Sequence, residues 1–455
     1  MTEKKYTVEE LLEKAYQPAK DAMKLHPFYE GKIQTLPKCA IRDFNDFAIW
    51  YSPGVAEPCL DIQKNPEKVY EHTNKWNTVA VVSDGTRVLG LGDIGPKAAM
   101  PVMEGKALLF KYLGGVDAVP LCLDTKDPDK IIETVKLIQP SFGGINLEDI
   151  AKPKCFYILD TLRADPDVEI PVWHDDQQGT ACIVTAGLIN ALKVVGKKMD
   201  EVLVSMIGAG AANIAIGRVM MTAGVKPENL IFCDSKGILG THRKDLEAKK
   251  DENPQKWNMC LNTNSEKREG DMAECMRATD VCVAMSKSGP GVIKKEWVAA
   301  MATDAIMFPC ANPIPEIWPW ECKEAGARVV GTGRSDFENQ VNNSLGFPGI
   351  FRGTLDVKAR TITDEMVIVA AEEIAKTAED KGIHEGYIVP NMDEWEVFPR
   401  EAVAVALKAM EQGIARVKRT KQELWERASR IIKETRDMTQ LLMKENFISM
   451  PPTDL

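Results

Sequence analysis

The run Val202-Leu203-Val204-Ser205-Met206-Ile207-Gly208-Ala209-Gly210-Ala211-Ala212-Asn213 decides how this 455-residue chain folds. Its first half is a nearly unbroken apolar stretch, the pattern of a strand buried on both faces. A helix is expected over Ile214 to Thr222. Leu230-Ile231-Phe232-Cys233 then reads as the next strand, ending in Asp234. Strand, glycine turn, helix, strand and acid follow in the dinucleotide-binding order. Gly208 and Gly210 would permit the tight turn and the close approach of a pyrophosphate. Ala209, Ala211 and Ala212 keep the turn narrow, and the phosphates would face the helix N-terminus. Asn213 stands where a third small residue is usual. Asp234 could accept from a ribose 2′-hydroxyl, which favours NAD; Ser235 and Lys236 beside it would suit the 2′-phosphate of NADP. Both readings stay open.

Working outward, three more strands follow at Asp280–Ser286, Ala305–Cys310 and Arg328–Gly333. Their ends offer Ser286, Asn312 and the polar run from Arg334 to Asn343. Amides there can hydrogen-bond a carboxylate or carboxamide, although turn chemistry alone would also select them. The lysine-rich stretch from Thr241 to Gly270 has little periodicity and reads as a surface excursion.

On the N-terminal side, Val79–Ser83, Val116–Leu123 and Gly143–Ile150 are strand-like, as is Ile170-Pro171-Val172-Trp173. Val88 to Gly95 suggests a hairpin and a glycine-rich bend. Thr7, with Glu10 as its capping-box partner, would open the first helix. Strands alternating with helices imply a mainly parallel sheet, whose ligands gather at the carboxyl ends of the strands. Two acid pairs lie at such ends: Glu148-Asp149 and Asp175-Asp176. The second pair also suits a helix cap. Four carboxylates together would repel unless a cation held them, and an oxygen-only set favours Mg²⁺ or Mn²⁺ over zinc. Lys106 falls in an apolar setting on the incoming turn of a helix entered at Met103, where desolvation could make it a base or leave it snorkelling. Tyr51 precedes a Ser-Pro-Gly turn and reads by default as a core residue.

The net charge of −10 argues against a general nucleic-acid binder. The eleven cysteines contain no C-x-x-C pair, so neither a zinc knuckle nor a redox dithiol is suggested. Cys155, Cys182, Cys233, Cys282 and Cys310 read as small buried hydrophobes in a reducing cytoplasm. Met1 to Glu10 lacks the apolar core of a secretory signal, and no apolar run is expected to reach membrane-spanning length. The expected architecture is α/β: an N-terminal mixed α/β substrate domain (1–173), a Rossmann-like dinucleotide-binding domain (174–360), and a helical C-terminal segment (361–455) packing back on the rest.

Several long blocks, in order, resemble the malic enzymes of the shorter bacterial type: Trp50 to Ala56, Ser83 to Gly95, Glu104-Gly105-Lys106, Gly143 to Ile150, His174 to Thr180, Gly208 to Ala212, Ala311-Asn312-Pro313 and Gly333 to Gly353. The resemblance implies oxidative decarboxylation of L-malate to pyruvate and CO₂ with NAD or NADP, and decarboxylation of oxaloacetate. By position it implies Glu148, Asp149 and Asp176 as ligands of Mg²⁺ or Mn²⁺, Lys106 as general base, Tyr51 as general acid and Asp175 as support for the base. It likewise implies Arg87, Asn312 and Asn343 as substrate contacts, and a homodimer. A neutral Lys106 would need a lowered pKa, expected from burial near the metal. The alternative on the same scaffold is an oxaloacetate decarboxylase with little use of the nucleotide.

Overall fold

The computed structural model describes residues 8–452. Helix α1 (Val8–Tyr29) leads to two short helices, α2 (Asp46–Trp50) and α3 (Ala56–Lys64). The expected cap at Thr7 lies outside the described residues. Strand β1 (Thr78–Ser83) then opens a four-stranded parallel sheet with β2 (Asp117–Cys122), β3 (Gly144–Leu147) and β4 (Val172–His174), in the order β2-β1-β3-β4. Between β1 and β2 runs α4 (Gly95–Gly114), ended by Gly115 at φ 63°, a conformation glycine adopts without strain. Lys106 therefore sits well inside a long helix rather than on its first turn, because Pro96 starts the helix earlier than Met103. Val88 to Gly95 does not form a hairpin of strands. A single bridge between Val88 and Gly92 closes it as a loop, since a run containing Gly90, Gly92 and Gly95 has few side chains to pack on a neighbour.

Helix α5 (Lys154–Ala164) precedes β4. After β4 comes one π-helical turn, Asp175–Gly179, and then α6 (Thr180–Val195). The span Asp175–Val195 is apolar and long enough to cross a membrane, yet 72% of its most apolar 18-residue window is buried inside the fold. Its apolarity is that of a core helix, hydrophobic on all sides because the helices Ala211–Thr222 and Asp364–Glu379 pack on it.

The second sheet is built from β5 (Val204–Ile207), β6 (Leu230–Asp234), β7 (Gly237–Ile238), β8 (Val281–Ala284), β9 (Ile306–Pro309) and β10 (Val329–Val330), ordered β10-β9-β8-β5-β6-β7. All pairs are parallel except β6 with β7. Helix α7 (Ala211–Thr222) follows the glycine turn, as the sequence predicts. The strand order reverses between β5 and β8, which opens a crevice at their carboxyl ends. Gly208 lies there at φ 99°, where an added Cβ would stand 2.5 Å from the Met285 carbonyl oxygen.

Four helices complete the chain: α8 (Phe347–Asp356), α9 (Asp364–Glu379), α10 (Val397–Glu411) and α11 (Lys421–Lys444). Helices α8, α10 and α11 pack back on α4, and α9 packs on α6 and α7. Phe351 on α8 meets Phe110 on α4 and Trp173 on β4 edge to face, with ring centroids 5.1 and 6.3 Å apart. Arg427 on α11 pairs with the buried Asp356 at 2.7 Å. One continuous apolar core joins Val79–Val82, α6, one face of the second sheet and these helices; a second cluster around Ile207, Cys233, Cys282 and Met307 covers the opposite face. The five cysteines expected in the core are buried.

Candidate active site

Strands β1, β3 and β4 end on one side of the first sheet, and the switch between β1 and β3 sets their ends apart as a crevice. Glu148 and Asp149 follow β3 directly; Asp175 and Asp176 follow β4 on the π-helical turn. Both chain segments turn sharply there. Asp149 is held at φ 54°, a left-handed conformation that a short polar side chain tolerates better than most. Gly179 is obligatory, because any side chain at that position would run into the Asp175 carboxylate. Asp175 and Asp176, neighbours in sequence, consequently point to different partners.

Three of the four acids converge. Ligand oxygens of Glu148, Asp149 and Asp176 all lie within 4.8 Å of one another. The Asp149 amide donates to Asp176 Oδ2 at 2.8 Å, which ties the two strand ends together. Asp149 Oδ2 is buried with no hydrogen-bond partner. Burial, then the opposing charge of Asp176, pushes the Asp149 carboxyl up to about 8. Glu148 is also raised well above its ordinary value by burial, with the Lys106 ammonium opposing the shift and Asp176 adding to it. An orphaned oxygen in a set of mutually repelling carboxylates fits a hard divalent cation, and no sulfur or nitrogen donor competes in the set. His174, fully buried, has both ring nitrogens unpartnered and lies 3.7 Å from Asp176 Oδ2. It stays neutral because burial lowers its pKa against the nearby acids.

The fourth acid serves Lys106. Asp175 Oδ2 accepts from Lys106 Nζ at 2.6 Å and from the Asn343 amide at 2.6 Å, while the Trp173 indole donates to Oδ1 at 3.0 Å. Glu148 stands 3.1 Å from the same ammonium, and the Phe347 ring lies under it at 4.4 Å. Lys106 is only 8% exposed. Burial alone would lower its pKa, as the sequence suggested, but Asp175 and Glu148 outweigh burial and raise it. Among the chain's own groups, two buried carboxylates hold the ammonium charged, and a cation drawn to Glu148 would weaken that hold.

The remaining candidates are distributed more widely. Arg87 is exposed, its main chain bonded to the Asp149 carbonyl at 2.9 Å and its guanidinium to the Leu89 carbonyl at 3.2 Å. Asn312 lies between Gly90 and Gly333, close to both backbones. Tyr51 is 74% exposed, and no hydrogen bond, ion pair or ring contact joins it to Lys106; the default reading of a core tyrosine is therefore corrected.

At the glycine turn, Gly210 precedes the first turn of α7, and Lys152 reaches across to the Ala209 carbonyl at 3.0 Å. Asn213 is fully buried, and its amide donates to the Ile207 and Gly208 carbonyls at 2.9 and 2.8 Å. The asparagine that departs from the usual small residue thus pins the turn from behind. Ser286 donates through its amide and hydroxyl to Glu316 at 2.7 and 3.0 Å, and Glu316 also accepts from the Ala311 amide at 3.1 Å. This buried acid, unmarked in the sequence except by its place after Asn312-Pro313, joins the ends of β8 and β9.

Asp234 is not free. Its oxygens receive Arg243 at 3.0 and 3.2 Å, Lys256 at 2.5 Å and the Lys236 amide at 2.9 Å. Arg243 and Lys256 come from the stretch expected to be a surface excursion, which instead folds back through the helix Pro254–Asn262.

The fold and site define a class: an oxidoreductase with a dinucleotide crevice on one sheet and an acidic, cation-ready cluster beside a lysine on the other. Comparison with known proteins narrows this. The sequence profile "Malic enzyme, N-terminal domain" matches residues 30–163, and "Malic enzyme, NAD binding domain" matches residues 177–412. A bifunctional malic/malolactic enzyme of Bacillus subtilis is 48% identical over 411 residues, covering 90% of this chain and 98% of that protein. An NAD-dependent malic enzyme of Geobacillus stearothermophilus is 49% identical over 386 residues, covering 85% and 78%. The crystal structure of Entamoeba histolytica malic enzyme superimposes with a TM-score of 0.96 at 46% identity, covering 100% of this chain and 94% of that one. The chain belongs to the malic enzyme family. It oxidises and decarboxylates malate with reduction of NAD or NADP, and a divalent metal is characteristic of the family.

Proposed function

We propose that Glu148, Asp149 and Asp176 hold Mg²⁺ or Mn²⁺, and that Lys106 is the general base of the reaction, positioned by Asp175. The observation that carries this reading is the convergence of three carboxylates within 4.8 Å, with an ammonium bridging Glu148 and Asp175 beside them. When bound, the cation would supply an electron sink for loss of the distal carboxylate and the nucleotide would supply the hydride acceptor. With Glu148 engaged by the cation, the neutral form of Lys106 would take the hydroxyl proton; Asp175 would steady the resulting ammonium, and Asn343 fixes Asp175. Arg87, Asn312 and Asn343 are proposed to bind the substrate carboxylates. Tyr51 is proposed to donate the proton that the carbon needs after CO₂ departs.

Gly208 to Ala212, Asp234, Ser286 and Asn312 are proposed as the nucleotide contacts, with Asn213, first expected among them, holding the turn from behind. The division into 1–173, 174–360 and 361–455 is retained as a proposal, supported by the two separate sheets. We further propose decarboxylation of oxaloacetate, a homodimer, and residence in the cytoplasm, the last supported by eleven free cysteines.

Calorimetric titration of Mn²⁺ tests the ligand set. Asp176→Ala is expected to weaken Mn²⁺ by about 10–100-fold or more, with malate-dependent nucleotide reduction falling in step. Unchanged affinity removes Asp176 from the set. Oxaloacetate decarboxylation by the wild type with no malate-driven reduction of either nucleotide would favour a decarboxylase instead.

A further inference from the structure

The first turn of α8 is gripped from three sides, and one of the side chains that grip it has no partner of its own. Phe347, which opens the helix, is fully buried. The Lys106 ammonium stands 4.4 Å from the centre of its ring, and the Phe110 ring packs on it with centroids 4.5 Å apart. From α4, Gly114 admits the Pro348 carbonyl; an added Cβ there would stand 2.7 Å from that oxygen. From α6, the Cys182 sulfur lies 3.4 Å from where a Cβ on Gly346 would be. From α10 comes Glu401. A Cβ on Gly349 would run into the Glu401 carboxyl, and one on Gly353, a turn further on, into the Ala402 carbonyl.

Glu401 is an unusual choice for such a notch. It is fully buried, and neither carboxyl oxygen has a hydrogen-bond partner among the described residues. Its chain neighbour Arg400 is engaged elsewhere, with Glu373 at 2.6 Å and Asp380 at 2.8 Å. Burial, with Glu373 adding to it, keeps the Glu401 carboxyl well above its ordinary range and therefore uncharged. A buried polar group left without a partner weakens a fold. The side chain is thus a poor source of stability. What it supplies is a stop of fixed length against the turn that Phe347 opens.

We propose that Glu401 is a positioning residue for the reaction, holding the first turn of α8 so that the Phe347 ring stays seated beneath Lys106. The inference rests on the general-base role given to Lys106 above. An aromatic face attracts an ammonium group, so the ring, with Asp175 and Glu148, fixes where Nζ stands. A base moved by a fraction of its bond length to the substrate loses much of its rate. Glu401 lies outside the reacting groups and acts on Lys106 only through Gly349 and Phe347.

A double-mutant cycle in the full-length enzyme tests this, with thermal unfolding of each variant recorded alongside. Glu401→Ala empties the notch and is expected to lower kcat by about 10-fold, with KM for malate and calorimetric Mn²⁺ affinity within about two-fold of wild type. Glu401→Gln keeps the length and needs no charge, and is expected to return kcat to within about two-fold. Phe347→Leu removes the ring and is expected to lower kcat by about the same factor as Glu401→Ala. The double variant is expected to be no slower than Phe347→Leu, because the ring that Glu401 positions is gone; independent losses would multiply to about 100-fold. Multiplying losses, or wild-type kcat in Glu401→Ala, would overturn the proposal. So would a Glu401→Gln enzyme as slow as Glu401→Ala, since length would then not be what matters. Gly349→Ala presses on the same contact from α8 and decides the matter should Glu401→Ala not fold. The same loss in kcat alone is expected, and a KM or Mn²⁺ affinity that moves as far as kcat would overturn the proposal. Wild-type turnover in Lys106→Ala would instead overturn the general-base role, whatever Glu401 does.

Discussion

Two clusters of acids and bases lie on this molecule, one beside each sheet, and they are built to opposite ends. Beside the second sheet, Asp234 and Asp245 face Arg243, Lys256 and Lys236, so every acid has its cation. Burial would raise the Asp234 carboxyl, but hydrogen bonds from Arg243 and Lys256 outweigh it and hold the pKa below the ordinary carboxylate range. On the first sheet, Glu148, Asp149, Asp175 and Asp176 face a single Lys106, and Glu148 and Asp149 are pushed up. A cluster whose acids are all matched keeps its shape alone; one left with surplus negative charge is prepared for something else. The sign of the imbalance, more than the number of acids, separates the two.

The largest effect that would sharpen this contrast is on Asp175. Asp175→Asn keeps the shape but removes the charge that Lys106 rests on, and is expected to lower kcat by about 10²-fold or more. Affinity for Mn²⁺ should change little. A kcat within a few-fold of wild type would mean that Lys106 needs no such support. Next is Asp234→Asn, expected to destabilise the fold by about 1–3 kcal/mol near neutral pH, read by urea or thermal unfolding. The sign with pH follows from its lowered pKa. The charged carboxylate contributes stability above its unfolded value, near 4, and loses it as pH falls through the lower folded value. The gap between wild type and variant should therefore close in acid; a gap that persists there would point to lost packing instead of lost charge.

The smallest effect runs in the opposite direction. Asp149→Asn is expected to stabilise the chelator-treated protein by about 1 kcal/mol at pH 8. A carboxyl raised to about 8 is comfortable when protonated and destabilising as pH rises towards that value, so the gain should fade near pH 5. Asparagine also suits the left-handed backbone at this position. Added Mn²⁺ should reverse the order of the two proteins. Equal stability under all conditions would break the distinction between the clusters.

What could be read beforehand follows from the range of the interactions. Val204–Ile207, Gly208, Gly210 and Ala211–Thr222 announce themselves through local pattern, because a buried parallel strand and a glycine turn are written in consecutive residues. The two acid pairs were legible for the same reason. The protonation of Lys106 was not, since it depends on Asp175, distant in sequence, and on the geometry that Gly179 enforces. Arg243 and Lys256 were hidden because a lysine-rich stretch shows no periodicity whether it is solvated or folded back on an acid. Nor does sequence show that Asp46 faces inward while Phe47, Ile49 and Trp50 face outward.

Helix α6 begins at the turn that carries Asp175 and Asp176, and its body lies in the apolar core common to both sheets. The helices that pack on it, α7 and α9, both follow it in the chain. A fragment ending at α6 would carry a greasy rod open to water, so the first sheet with α6 alone should not be obtainable as a folded unit. Anyone grafting a foreign nucleotide-binding half onto this scaffold would have to keep this rod native and match the newcomer's inner surface to it.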